Sequence, residues 1–148
     1  MSSKVPVTHI DLRVFAHATE DEEKVLSAVR NTLPPQVSEN ITFKKSNLSG
    51  HHGNPITLFE AKIKERDHVK AFLEKLASSL SILDKEILGG EIEQHIEGGC
   101  LYIRLDKQAA YLNEFKLGTT DPIHFKIHFK KSGMKDIVDM CRSLGIIP

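Results

Sequence analysis

Between Val7 and His17 the chain alternates, with Ile10, Leu12, Val14 and Ala16 on one side and His9, Asp11, Arg13, Phe15 and His17 on the other. A period of two predicts a half-buried β-strand. The same alternation returns over Cys100 to Leu105, where Leu101, Ile103 and Leu105 face inward and Tyr102 and Arg104 outward. It is cleanest over Ile123 to Lys130: Ile123, Phe125, Ile127 and Phe129 form a core side, and His124, Lys126, His128 and Lys130 an open one. Two further runs, Ile41 to Lys45 and Ile56 to Lys64, read as strands joined by a long surface loop.

Helical spacing fills the intervals. After the first strand, Val25, Leu26, Val29 and Leu33 recur at three and four, and Pro34-Pro35 ends the pattern. Thr19 with Glu22 three residues on has the form of a capping box, which accounts for the acidic run Glu20 to Glu23. The strongest helical pattern runs from Glu65 to Leu83 through Val69, Phe72, Leu73, Leu76, Leu80 and Leu83. From Asp84 to Gly99 the chain is polar and broken by Gly89-Gly90 and Gly98-Gly99, with Lys85 to Leu88 continuing or restarting a helix. Asp106 caps a short helix that reaches Phe115 and turns Leu112 and Phe115 inward. A last helix, capped at Ser132 or nearby, carries Ile137, Val138, Cys141 and Leu144 and stops at Gly145. Together these elements predict an α+β two-layer sandwich. A mixed, mostly antiparallel sheet of about five strands carries helices on one face and leaves the other open.

The 148 residues suit one domain, large enough to bury roughly 68–70% of its unfolded surface without disulfides. Cys100 and Cys141 have no metal-ligand spacing, and both read as buried reduced thiols. No run approaches the ~20 apolar residues of a membrane span, so a soluble, cytoplasmic protein is expected. Twenty basic residues balance twenty acidic ones, and net charge therefore argues for no polyanionic partner. Any nucleic-acid affinity must come from segregated charge.

If the three alternating strands share a sheet, such segregation follows. Their open sides gather His9, Arg13, Phe15, His17, Tyr102, Arg104, His124, Lys126, His128 and Lys130, with Asp11 the one acid among them. Arginine and lysine neutralise phosphates, and Phe15 and Tyr102 offer rings to unstacked bases. Against this stands the plain reading of a solvated strand face, with Phe15 covered by a helix.

Between the two middle strands lies Ser49-Gly50-His51-His52-Gly53-Asn54-Pro55-Ile56. Glycine, asparagine and proline serve the turn, while adjacent histidines exceed what a turn needs. A phosphate contact through Gly50 and Gly53 N–H groups with His51 and His52 is one reading, and a flexible loop with incidental histidines is another. Metal binding fits less well, because neighbouring loop residues rarely converge on one ion. Lys107, Gln108 and Tyr111 either form a plain capped turn or face a ligand from the sheet end. No cofactor and no metal site is expected. A ribonuclease working through two histidines is the enzymatic alternative. His124 and His128 lie about 13 Å apart along a strand, too far to share one phosphate, although a cross-strand pair such as His17 with His124 can approach.

Three separated motifs, Arg13-Val14-Phe15-Ala16-His17-Ala18-Thr19-Glu20-Asp21, Gly50-His51-His52-Gly53-Asn54-Pro55-Ile56 and Leu105-Asp106-Lys107-Gln108-Ala109-Ala110-Tyr111-Leu112, occur in this order over nearly the whole chain. In them the sequence resembles the archaeal family described as predicted exosome subunits or RNA-binding proteins. That family is similar in fold to the ribosomal protein that binds 5S rRNA in the large subunit. The resemblance implies RNA as partner, a link to RNA processing or decay with exosome or other processing proteins as further partners, and no catalytic assignment. Asn113 follows Leu112 where such sequences often place glycine. The expected role is a non-catalytic RNA-binding accessory factor. Contacts are assigned to Arg13, Phe15, His17, His51, His52, Tyr102, Arg104, Lys107, His124, Lys126, His128 and Lys130. A protein-interaction module, docking through the open face or through Asp84 to Gly99, is the alternative.

Overall fold

The computed structural model describes residues 6–50, 53–130 and 133–148. Its strands are β1 (Val7–His17), β2 (Lys44–Ser49), β3 (Pro55–Ile63), β4 (Ile96–Glu97), β5 (Cys100–Leu105) and β6 (Ile123–Phe129). The helices are α1 (Glu22–Asn31), α2 (Pro35–Ser38), α3 (Arg66–Ser79), α4 (Ile82–Gly90), α5 (Lys107–Tyr111) and α6 (Met134–Ser143). All six strands join one sheet in the order β2-β3-β1-β6-β5-β4. Every pairing is antiparallel, so the expected α+β class holds while the mixed sheet of five becomes an antiparallel sheet of six.

The core side of the sheet and the inner helix faces form one hydrophobic cluster. Ile10, Leu12, Val14 and Ala16 of β1 meet Ile123, Phe125 and Ile127 of β6 there, and Phe72 of α3 stacks on Phe125 at 4.9 Å. The period-two reading of these strands therefore translates directly into burial. Helix boundaries moved where a polar side chain found a better partner. At α1 the N-cap is Asp21 and not Thr19, its carboxylate accepting from Glu23 N–H, while Glu22 turns away to Lys45 and Thr57 instead of closing a box. The long helix expected to Leu83 breaks at Leu80, whose extended backbone lets Ser81 Oγ accept from Asp84 N–H and start α4. That restart turns Leu88 inward and leaves Leu83 66% exposed, contrary to its expected burial.

The edge hairpin differs most. Its outer strand runs over Lys44–Ser49, three residues beyond the expected start, and pairs from Lys44↔Glu60 to Ser49↔Pro55. Gly50 N–H then donates to Asn54 C=O at 2.7 Å, so the connection is shorter than the loop expected from Ser46 to Asn54. Nearly all of β2 is exposed, which is why no apolar period fixed its bounds. Helix α5 also stops early, at Tyr111, with Asn113 in the left-handed region (φ 64°) that glycine or asparagine tolerates. Leu112 consequently points to solvent rather than inward, while Phe115 still packs against the core. The final helix starts after Gly133 without a side-chain cap, and the expected cap Ser132 lies outside the described residues.

One buried cation ties these pieces together. Lys107, at the first turn of α5, is 8% exposed. Its ammonium donates to Phe15 C=O at 2.8 Å, to Glu20 Oε1 at 3.0 Å and to Asp121 Oδ2 at 2.7 Å. All three ammonium protons are thereby used. Two of the motifs noted above meet at this lysine, and the third reaches the same end of the sheet through Ile56, the register partner of His17. Replacing Lys107 with Met leaves two carboxylates and a carbonyl facing each other without a cation. Urea denaturation of Lys107→Met is expected to show a loss of about 3–5 kcal/mol; a loss below about 1 kcal/mol would mean that the network behaves like an exposed ion pair.

Candidate nucleic-acid interface

Strand order decides the candidate site, because β1, β6 and β5 are consecutive neighbours. Their registers align the open-face residues in rows. Arg13 stands opposite His124, and His124 opposite Arg104. In the next row Asp11 faces Lys126 and Lys126 faces Tyr102; in the third His9 faces His128 and His128 faces Cys100. The three strands expected to pool their polar sides do so, and Arg13, Tyr102, Arg104, His124, Lys126 and His128 form one contiguous patch. A shallow depression at its centre is lined by Asp11, Arg13, Glu60, Tyr102, His124 and Lys126.

The charges in this patch are not equally available. Among the described residues neither Arg13 nor Arg104 forms an ion pair, nor does Lys126, whose ammonium lies 5.6 Å from the Tyr102 ring centroid. Tyr102 thus has one face already covered. Between the two guanidinium groups, His124 is pushed below the ordinary histidine value by burial, and further by the charges of Arg13 and Arg104, with Asp121 opposing them. An uncompensated Arg–His–Arg row is an arrangement that an anion relieves: a phosphate there would neutralise the arginines and favour the imidazolium.

Other expected contacts are engaged elsewhere. Lys107 is buried in its three-oxygen network and does not reach the open face, because the first turn of α5 folds its side chain beneath the end of β1. His17 keeps its place on the face but its Nε2 lies 3.1 Å from Asp121 Oδ2. Burial alone would raise the Asp121 carboxyl, and the hydrogen bonds and charges of Lys107 and His17 more than reverse this. His128 Nε2 lies 2.8 Å from Asp11 Oδ2, and its ring stacks on that of His9 at 3.9 Å. His9 is lowered by its own burial and then by His128. Phe15 is half-buried beside Leu58 of β3, away from the Arg–His–Arg row by two residues of β1. Lys130 follows the end of β6 and is exposed. His51 and His52 lie outside the described residues.

Some participants escaped the sequence reading. Glu60 and Lys62 enter the face through β3, opposite Arg13 and Asp11, so the patch is less one-sided in charge than the three alternating strands suggested. Cys100 is the other correction. It is buried, but on the polar side with Tyr102 and Arg104, where its Sγ lies 3.3 Å from His128 Nδ1. Its position two residues before Tyr102 was the available signal. Burial raises the Cys100 thiol and Asp11 adds to this against Lys126, so the group stays protonated and serves as a partner of the imidazole. Cys141 is a core thiol as expected, pushed up to about 12 by burial.

Residues 9–129 match the family model described as RNA binding. The RNA-binding protein PAB1135 of Pyrococcus abyssi is 40% identical over 138 residues, covering 91% of this chain and 90% of that protein. Among solved structures, protein AF2318 from Archaeglobus fulgidus superposes with a TM-score of 0.81 at 28% identity, covering 93% of this chain and 99% of that one. Mth689, a DUF54 protein from Methanothermobacter thermautotrophicus, gives 0.76 at 29% identity, covering 96% and 98%. Among the described residues no helix is long and apolar enough to cross a membrane.

The protonation of His124 reports on the row directly. Its NMR titration midpoint is expected below the ordinary value of 6.5, and Arg13→Gln or Arg104→Gln should each move it up. The sign for stability follows from proton uptake. As pH falls through 6.5 the unfolded chain takes this proton before the folded one, so His124 withdraws stability on acidification. A midpoint above 6.5 in the free protein would mean that an acid, not the arginines, governs the ring.

Proposed function

The chain belongs to this RNA-binding protein family, and we propose that it is a non-catalytic RNA-binding protein whose open sheet face holds the RNA. The observation that carries the reading is the Arg13–His124–Arg104 row with Lys126 beside it: three cations unpaired among the described residues and an imidazole, on three adjacent strands of a chain with no net charge. Phosphate contacts fall to Arg13, Arg104 and Lys126, with Lys130 extending them past the end of β6. Phe15, flanked by Leu58, and the free face of Tyr102 supply surfaces for unstacked bases.

The proposal includes a role as an accessory factor in RNA processing or decay, in association with the exosome. Its support is the resemblance carried by the Arg13–Asp21 and Leu105–Leu112 motifs, which the fold brings together at Lys107. The non-catalytic part of the reading rests on the same resemblance, whose motifs carry no catalytic assignment.

The test is binding of labelled single-stranded and structured RNA at several salt concentrations, with the recovered RNA run on a gel. Arg13→Ala with Arg104→Ala is expected to weaken binding and reduce the salt slope by about 1.4–1.8 units, the value for two lost phosphate contacts. An unchanged slope removes this face from the interface. Shortened RNA that persists in a catalytically inert preparation control would point to contamination; shortening that disappears with His128→Gln would overturn the non-catalytic reading.

A further inference from the structure

We propose that His9, Asp11 and His128 form a binding site for a divalent transition-metal ion of the zinc class, with the two imidazole Nε2 atoms and Asp11 Oδ2 as ligands. Residues His9 and Asp11 are two apart on β1, and His128 is the register partner of His9 on β6. Their ligand atoms all lie within 4.8 Å of one another. A tetrahedral ion with bonds of about 2.0–2.1 Å requires ligand atoms roughly 3.3 Å apart. Here Asp11 Oδ2 is 2.8 Å from His128 Nε2 and 3.7 Å from His9 Nε2, values on either side of that edge.

The opposite ring nitrogens are already held, as ligating histidines require. Thr8 Oγ1 lies 3.0 Å from His9 Nδ1 and 3.2 Å from His128 C=O, so a hydroxyl that donates to the carbonyl accepts from Nδ1–H. In that tautomer the bare Nε2 faces a carboxylate oxygen, and the two rings, stacked at 3.9 Å with 21° between their planes, turn for both Nε2 lone pairs to meet one ion. His128 Nδ1 meets Cys100 Sγ, and a thiol can donate or accept there. Without metal, Nε2–H donates to Asp11. With metal, the proton resides on Nδ1, Cys100 accepts it and turns its S–H toward Gly98 C=O, so no net proton need leave.

A second cluster gives the contrast. His17, Glu20 and Asp121 also converge, but the Lys107 ammonium already fills the space between the two carboxylates. At the first cluster Lys62 lies 3.9 Å from the other carboxylate oxygen, Asp11 Oδ1. Two neutral imidazoles and one carboxylate match a borderline ion, and leave a position for water or a phosphate oxygen on the open face. The inference does not depend on RNA binding.

The experiment is a Zn2+ titration of the whole protein followed by 15N resonances of the histidine rings and by calorimetry. One equivalent is expected to shift His9 and His128 Nε2 while His124 stays unchanged, and to raise the melting temperature as free Zn2+ increases. His9→Gln and Asp11→Asn should each weaken binding at least about tenfold, whereas the double variant His51→Gln, His52→Gln should retain it. The wild-type spectra decide even if a variant fails to fold in chelator. No shift at His9 and His128, or binding lost only with His51 and His52, overturns the proposal.

Discussion

A single buried ammonium sets the conditions for the rest of this structure. Lys107 Nζ binds a strand carbonyl, a turn carboxylate and a carboxylate just before β6, joining the end of β1 and its turn to α5 and the entry of β6. Removing such a charge from water is costly, and only full hydrogen bonding offsets it. The chain therefore closes at one end of the sheet in one way. The turn after β1, the entry to β6 and the axis of α5 are fixed together, and the register of β1 against β6 is held at its end.

That closure also sorts charge. Glu20 and Asp121 are consumed at the lysine, and Asp121 takes His17 with it. At the opposite end of the same face Asp11 is taken up by His128 and Lys62. Between these two neutralised ends lie Arg13, His124, Arg104 and Lys126 with no carboxylate partner among the described residues. A neutral protein thereby presents a positive centre. The depression of His124 is the local signature of that field, with burial first and the two arginines next.

Packing on the far side makes the face possible. Helices pack on the apolar side, where Phe72 stacks on Phe125 and Lys75 reaches back to the carbonyls of Asn31 and Leu33 at the end of α1. Asn31 in turn donates to the carbonyls of Ala110 and Tyr111, closing α5. These polar ties connect helix ends whose last carbonyls have no partner within their own helices.

By itself the sequence determined the strands whose two sides differ. Alternation in β1, β5 and β6 named their inward and outward residues, and the spacing from Val69 to Leu76 named the buried stripe of α3, because half-burial writes its period into side chains. It could not set the bounds of β2, which is exposed and held by backbone pairing, nor the break at Leu80, where one serine hydroxyl competes with helix continuation. Only the tertiary structure decided which cations are free. Lys107 and Lys126 are the same residue type and both looked available, yet one is buried among three oxygens and the other lies over a tyrosine on the open face. Likewise His9, Asp11, Cys100 and His128 become one cluster only through strand order and register, which depend on contacts between distant segments that no local pattern records.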